Sequence, residues 1–389
     1  MLVAFCLITH MLYDLRSIKD ADVKNKTVFL RADLDIPLEN GKIKDDTRLK
    51  VWFPTLEFLL TNKARVLIAG HLGRPTKQFS ILNSQFSISE PQFSLLPVAE
   101  WISKRFEIND LRSKNFAEFK GWEISENIVL LENLRFYKEE EENPLTSSGQ
   151  IFAQKLASLA DIYVNDAFAS SHRAHVSIVG ITKYLPSYAG LRLKKEIEEL
   201  SKVLQTPKRP LCVIIGGAKI DTKLPLVEKM HSFADYVLVG GEIAENDKVL
   251  LKVAHEKLNP PANGKKSALL VADLTPDLKD ITIKSAENFL QIIQNAETIV
   301  WNGPMGYIDE KLKIKNKKLQ AGDEGYTSFL LSYGIINSGA YTIVGGGDTV
   351  SFLNSIGILD KFSFVSTGGG AMLEFLAGEV LPGIKALQA

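Results

Sequence analysis

The first half of the chain places basic side chains in short clusters: Arg31, Arg48, His71, Arg74, Arg135, His172, Arg173 and His175. Arginine's planar fork grips carboxylate and phosphate with two parallel hydrogen bonds. Each cluster carries a second kind of group. Arg31 opens the run Arg31-Ala32-Asp33-Leu34-Asp35-Ile36-Pro37, and His71 and Arg74 lie in Gly70-His71-Leu72-Gly73-Arg74-Pro75. Arg135 follows Glu132-Asn133-Leu134, and Arg173 follows Asn165-Asp166-Ala167-Phe168. The chain as a whole has 46 Lys and Arg against 46 Asp and Glu, so its net charge is zero. A nucleic-acid binder needs a basic excess to displace counterions. A local basic gathering in a neutral chain points instead to a small, multiply charged anion.

The second half is glycine-rich at the corresponding places. Its clusters are Gly216-Gly217-Ala218-Lys219 with Lys223, Gly240-Gly241, Asn302-Gly303-Pro304-Met305-Gly306, Gly345-Gly346-Gly347-Asp348-Thr349 and Gly368-Gly369-Gly370. Glycine lets backbone N–H groups and helix N-termini approach phosphates closely. Lys219 and Lys223, four apart, would share one face of a helix start, and Asp348 could hold a metal ion or cap a helix. There is no GxxxxGK[ST], and GxGxxG is absent from the first βα turn, which counts against a Walker NTPase and a dinucleotide enzyme. An anion site and a nucleotide-phosphate site together suggest phosphoryl transfer, in which the protein mainly positions groups and neutralises charge. A carboxylate acceptor would need no general base. Two sites on separate domains would meet by hinge closure, which also excludes water.

Strands must deliver these clusters. The segments 27–34, 65–70, 127–131, 161–165, 211–215, 235–239, 298–301, 341–344 and 362–365 read as strands, most of them continuous Val/Ile/Leu runs that suit parallel strands buried on both faces. Between them, 48–61, 144–160, 222–231, 285–296 and 348–356 read as helices. This rhythm predicts an α/β fold of two doubly wound, Rossmann-like parallel sheets. Ligands bind outside the carboxyl ends of such strands, where every cluster above falls. The boundary is placed near Leu185-Pro186-Ser187-Tyr188, giving domains 1–188 and 189–376. Residues 191–204, charged and with few apolar positions, read as an interdomain helix with the active-site cleft between the domains. The Ser/Gln/Phe-biased stretch 79–93 reads as a mobile loop, and the acidic run 139–142 as a solvated face.

The bulk numbers agree. At 389 residues the chain is too long for one ordinary core, and 45% hydrophobic with 24% charged excludes wholesale disorder. Cys6 and Cys212 are too few and too distant for a disulfide framework or a zinc site. No apolar run reaches the roughly 18 residues of a membrane helix. Met1 to Thr9 lacks the basic flank and cleavage site of a signal peptide, so Met11 is expected as the initiator and the cytoplasm as the location. No repeat of 20 to 50 residues is expected.

The motifs RADLDIP, DDTRL, HLGRP, LENLRF, VNDAF…HRAH, GGAKIDTK, IVWNGPMG, GGGDT and STGGGA…LEFLAGEVLPG resemble those of the phosphoglycerate kinase family, in the family's order over essentially the whole chain. The resemblance implies reversible transfer of the acyl phosphate of 1,3-bisphosphoglycerate to MgADP, giving 3-phosphoglycerate and MgATP. It implies a monomeric hinge enzyme whose tail, 377–389, packs back on the N-terminal domain, with no nucleic-acid or membrane partner. By motif, Asp33, Asp35, His71, Arg74, Arg135 and Arg173 would bind 3-phosphoglycerate. Arg48 and Lys219 would stabilise the phosphoryl group in flight, and the N–H groups of Gly369 and Gly370 would face it. Gly216, Lys223, Asn302, Asp309, Gly346, Gly347, Asp348 and Thr349 would hold the nucleotide, with Asp348 near Mg²⁺.

Four places depart from the family pattern. Asp35 stands where Asn is usual, which adds a carboxylate beside an anionic substrate. Glu242-Ile243-Ala244 replaces Gly-Met-Ala, before a shortened segment. Thr282 ends a turn that usually ends in Gly, and Asp309 stands for Glu. The first two features leave open a paralogue that binds ligands without turnover. A two-domain dehydrogenase is the remaining reading, opposed by the absent GxGxxG.

Overall fold

A computed structural model describes residues 15–81, 90–218, 220–246, 267–308 and 319–388. Cys6, Met11, Lys219, Asp309 and most of the expected loop at 79–93 lie outside the described residues.

The chain divides into two units. One runs to Glu198 and takes in the chain end from Val380; the other is Glu199–Glu379. The first unit holds strands β1 (Thr27–Arg31), β2 (Leu38–Glu39), β3 (Lys42–Ile43), β4 (Arg65–Ala69), β5 (Arg112–Phe116), β6 (Phe119–Ser125), β7 (Ile128–Leu131), β8 (Ile162–Asn165) and β9 (Ser187–Ala189). Its main sheet has the order β5-β6-β7-β4-β1-β8-β9. It is parallel from β7 to β9 and ends in the antiparallel β5–β6 hairpin. Helices α1 (Thr47–Thr61), α2 (Leu96–Arg105) and α3 (Ser147–Ala157) connect the strands.

The chain steps from β1 outward through β4 and β7, then returns to add β8 and β9 on the other side. The switch point therefore lies between β1 and β8. Val28, Leu30, Val66, Ile68 and Val164 are fully buried, each contributing roughly 1.5–3 kcal/mol. They form one core with Leu49, Trp52, Leu56 and Leu59 of α1. That core fixes the sheet edge from which the site loops leave.

The second unit repeats the plan with β10 (Leu211–Ile215), β11 (Tyr236–Val239), β12 (Ala268–Val271), β13 (Thr298–Asn302), β14 (Tyr341–Gly345) and β15 (Phe364–Val365), ordered β12-β11-β10-β13-β14-β15. All the pairings are parallel. Here the switch point lies between β10 and β13.

Helix α4 (Leu191–Gln205) precedes β10, and the partition falls inside it. It is less polar than its composition suggests. Leu193, Ile197, Leu200 and Val203 form a buried stripe at helical spacing, and Glu196 and Glu199 are buried too. The carboxylates tolerate burial because Arg192 pairs with Glu196 at 2.6 Å, and Lys202 with Glu199 at 2.7 Å. The other α-helices among the described residues are α5 (Ile220–His231), α6 (Ile283–Ile293), α7 (Tyr326–Asn337), α8 (Gly347–Ser355), α9 (Gly370–Leu376) and α10 (Pro382–Lys385). Helix α10 belongs to the first unit, where Gly383 donates its N–H to the Ser171 carbonyl at 2.8 Å.

Candidate active site

In the first sheet Arg31 is in register with Ala69 on one side and Asn165 on the other. Three loops therefore start from one line. Across the switch point, Asp33 accepts from the Ala169 N–H and the Ser170 hydroxyl, both at 2.8 Å. Burial raises the Asp33 pKa, opposed by the nearby Arg48 guanidinium, the Ser170 hydroxyl and Arg31. Asp35 accepts from the Gly73 N–H at 2.9 Å. Arg135 Nη1 donates to the Gly73 carbonyl at 2.7 Å, and its Nε lies 2.9 Å from Glu141. Arg48, in the first turn of α1, donates to the Asp35 carbonyl at 2.5 Å and stays half-exposed.

Arg31 has a different role from the other arginines. It is fully buried. Its Nε donates to Ser177 Oγ at 2.9 Å, Nη1 to the Ala32 carbonyl at 2.7 Å, and Nη2 lies 2.9 Å from His71 Nδ1. A guanidinium only donates, so His71 Nδ1 must accept and the neutral ring carries its proton on Nε2. His71 is held neutral, well below its ordinary pKa, first by burial and then by Arg31, Arg135, His175 and Arg173. Burial and the same arginines push His175 down to about 3. Burial and Arg173 push His172 down to about 4. Arg173 Nε lies 3.2 Å from His172 Nε2.

The acidic run at 139–142 is not a solvated face. Glu139 and Glu140 are fully buried. Glu140 receives the Ser177 hydroxyl at 2.6 Å and the Ser177 N–H at 3.0 Å, and lies 3.9 Å from Arg31. A buried guanidinium needs a counter-charge, and this carboxylate supplies it. Glu141, which pairs with Arg135, and Glu142 are the partly exposed members.

In the second sheet Ile215, Asn302 and Gly345 stand in register across β10, β13 and β14. Gly216 donates its N–H to the Asn302 carbonyl at 3.0 Å, and Gly217 to the Pro304 carbonyl at 2.8 Å. Glycine is required at 303: its φ is +95°, and a Cβ there would lie 2.1 Å from the Gly216 oxygen. Lys223, nearly buried, donates from Nζ to the Gly216 carbonyl. Burial lowers its pKa to about 8, opposed by Asp348. Helix α8 begins directly after β14, with Asp348 exposed in its first turn and Gly346 beside Asn302.

The expected anion-binding residues thus come from the loops after β1, β4, β7 and β8 and from α1 of the first unit. Arg74 is exposed at the end of its loop. In the second unit Thr349 is fully buried, and its hydroxyl accepts from the Gly303 N–H at 3.0 Å, so it holds a loop in place. Gly369 has φ +51° directly before α9, and Gly370 opens that helix. Lys219 and Asp309 lie outside the described residues. Sequence reasoning missed Ser170, Ser177 and Glu140 as supports. Ser177 bonds a residue 146 positions away, and no local pattern signals such a partner.

The likeness expected from the motifs extends through nearly the whole chain. The family model for phosphoglycerate kinase matches residues 18–259 and 249–379. The phosphoglycerate kinase of Finegoldia magna is 36% identical over 417 residues, covering 96% of this chain and 98% of that protein. The cytosolic phosphoglycerate kinase 3 of Arabidopsis thaliana is 35% identical, covering 95% and 97%. Among solved structures, the phosphoglycerate kinase from Coxiella burnetii has a TM-score of 0.72 at 32% identity, covering 96% of this chain and 98% of that one. The enzyme from Pyrococcus horikoshii OT3 has a TM-score of 0.72 at 29% identity, with the same coverage. With two doubly wound sheets, basic loops on the first and glycine-rich loops on the second, this chain belongs to the phosphoglycerate kinase family.

Proposed function

We infer that this chain is a working phosphoglycerate kinase, transferring the acyl phosphate of 1,3-bisphosphoglycerate to ADP and releasing 3-phosphoglycerate and ATP. One observation carries the reading beyond family membership. The Asp33, Asp35, His71, Arg135 and Arg173 loops are tied to one another at one sheet edge, as a preorganised anion site requires. A β-phosphate oxygen of ADP attacks phosphorus, the acyl P–O bond breaks, and its electron pair stays on the substrate as a carboxylate. That leaving group is stable when ionised, so no general acid is needed. The protein's task is charge neutralisation and alignment.

Arg48 would neutralise the phosphoryl group in transfer, and Arg74, Arg135, Arg173 and His71 Nε2–H would hold the glycerate and its 3-phosphate. Lys223, Asn302, Gly346 and Gly347 would seat the nucleotide, with Gly369 and Gly370 N–H groups toward the transferring phosphate. Lys219 and Asp309 keep their proposed roles from the motifs alone. Mg²⁺ suits the donor chemistry. Asp348 offers a hard oxygen in the first turn of α8, the kind of single carboxylate this ion takes alongside nucleotide phosphates. Among the described residues no group of three or more His, Cys, Asp or Glu could hold an ion unaided. Asp348 would hold Mg²⁺ mainly through those phosphates, and the ion would supply further neutralisation.

We also propose a cytoplasmic monomer without nucleic-acid or membrane partners. Among the described residues no helix is long and apolar enough to cross a membrane. The test is an assay of 3-phosphoglycerate with MgATP, coupled to glyceraldehyde-3-phosphate dehydrogenase and read as NADH loss. Turnover is expected. Ligand binding by calorimetry without turnover would overturn the reading and indicate a paralogue that has lost catalysis.

A further inference from the structure

The first turn of a helix leaves backbone N–H groups that need acceptors. Helix α4 gets none from a capping side chain of its own, because the residue before it is Gly190. Its acceptors come from far away in sequence. Leu191 N–H donates to Thr55 Oγ1 at 3.1 Å. Arg192 and Leu193 donate to Asp166 Oδ1 at 2.8 and 2.9 Å. Thr55 and Asp166 thus hold successive N–H groups of the same turn, and the two side chains act as one clamp. Both are buried, Thr55 fully. The approach is so close that a Cβ on Gly190 would lie 2.3 Å from Asp166 Oδ1.

The two supports are the arms of the anion site. Thr55 lies on α1, seven residues and nearly two turns from Arg48, on about the same face of the helix. Asp166 directly follows β8 and opens the loop whose Ala169 and Ser170 hold Asp33 and which continues to Arg173. The other end of α4 belongs to the second unit. There Glu199 receives the Tyr341 hydroxyl at the start of β14, the strand that leads to Gly346 and Asp348. A helix is stiff along its axis, so a small displacement of its first turn is carried along its length.

We propose that Asp166 and Thr55 are positioning residues that transmit occupancy of the anion site into α4, and through α4 to the nucleotide half-site. The inference rests on the kinase reading above. Neither residue touches substrate in this account; both act on catalysis through the start of one helix. A merely structural role predicts lost stability with kcat and KM otherwise kept. The transmitting role predicts a lower kcat with 3-phosphoglycerate affinity retained.

Four proteins decide it, each checked for folding by circular dichroism: wild type, Asp166→Ala, Asp166→Asn and Thr55→Val. For Asp166→Ala, kcat is expected to fall about tenfold or more, since small misplacements remote from the chemistry cost rates of this order. Its 3-phosphoglycerate Kd by calorimetry stays within about threefold. X-ray scattering shows less compaction with both ligands bound than for wild type. Asp166→Asn keeps an acceptor oxygen for the two N–H groups and restores kcat to within about threefold of wild type. Thr55→Val keeps the shape, loses one acceptor, and shows a smaller loss of kcat with the same split. Unchanged kcat in Thr55→Val and Asp166→Ala, or a Kd that weakens in step with kcat, overturns the proposal. So does an Asn variant as impaired as the Ala variant. If Asp166→Ala does not fold, Thr55→Val alone decides by the same criteria. Wild type without turnover but with normal compaction would instead sink the kinase reading.

Discussion

Gly73 donates its backbone N–H to the Asp35 carboxylate at 2.9 Å. Its carbonyl accepts from Arg135, so one glycine on the loop after β4 is gripped on both its N–H and its carbonyl. Asp35 thereby makes the hydrogen bond an asparagine oxygen would make, but adds a negative charge beside an anion site. Asp35→Asn should keep the tether and remove the repulsion. The KM for 3-phosphoglycerate is expected to fall about fivefold at low ionic strength, equivalent to about 1 kcal/mol. The gain should fade by about 0.5 M salt. Asp35→Ala, which loses the tether, should raise KM. An Asn variant with unchanged KM at low salt would show that the charge does not act on the substrate.

Arg48 makes a single hydrogen bond to the Asp35 carbonyl and is half-exposed. Its loss should therefore spare the fold and damage the chemistry. For Arg48→Ala, kcat is expected to fall by about 10²–10³, with the melting temperature changed by no more than about 2 °C. Arg48→Lys retains charge without the planar fork and should fall between. Near-normal kcat in Arg48→Ala would remove this residue from the transition state.

Lys223 enters binding with its pKa lowered to about 8, mainly by burial. The free enzyme's ammonium is therefore lost as pH rises through 8, while a nucleotide phosphate favours the charged form. The KM for MgATP should be flat below about pH 7.5 and then rise up to tenfold per unit. Calorimetry near pH 8.5 in buffers of differing ionisation enthalpy should register proton uptake on binding. Lys223→Met should bind weakly and lack this pH dependence. A wild-type KM that is level to pH 9.5 would contradict the assignment.

The histidines of the first unit govern its acid stability. His175 is depressed to about 3 by burial and the surrounding arginines, against about 6.5 when unfolded. Between these values the unfolded chain binds a proton that the folded chain refuses. Stability therefore falls as pH drops below 6.5, by about 2 kcal/mol at pH 5 for this residue. His71 acts in the same direction, while Asp33 and Glu140, raised by burial, act in the opposite one. The test is differential. Urea unfolding followed by Trp52, Trp101 and Trp122 should show His175→Gln losing less stability than wild type from pH 7 to pH 5. Equal losses would mean that His175 is protonated in the folded state.

Much of the frame was legible locally. The run 211–215 coincides with β10, because a strand buried on both faces is continuously apolar. The run 27–34 overshoots β1 by three residues, since Ala32 and Leu34 are equally buried after the chain has left the sheet. The β5–β6 hairpin escaped because β5, Arg112–Phe116, is mostly exposed and polar. Helix α4 looked too polar because two of its glutamates are buried with partners.

By itself the sequence determined the two sheets, the kinds of group after each strand, and a local basic excess hidden in a total of 46 against 46. Those follow from side-chain type and short-range periodicity. Only the tertiary structure decided which basic groups are offered and which are supports. Strand order sets β1 between β4 and β8, and that brings Arg31 to Ser177 and His71 and buries Glu140 behind them. The same order carries Asp166 and Thr55 to the first turn of α4. Contacts spanning more than a hundred residues arise from how sheets are wound, and no local pattern of residues encodes them.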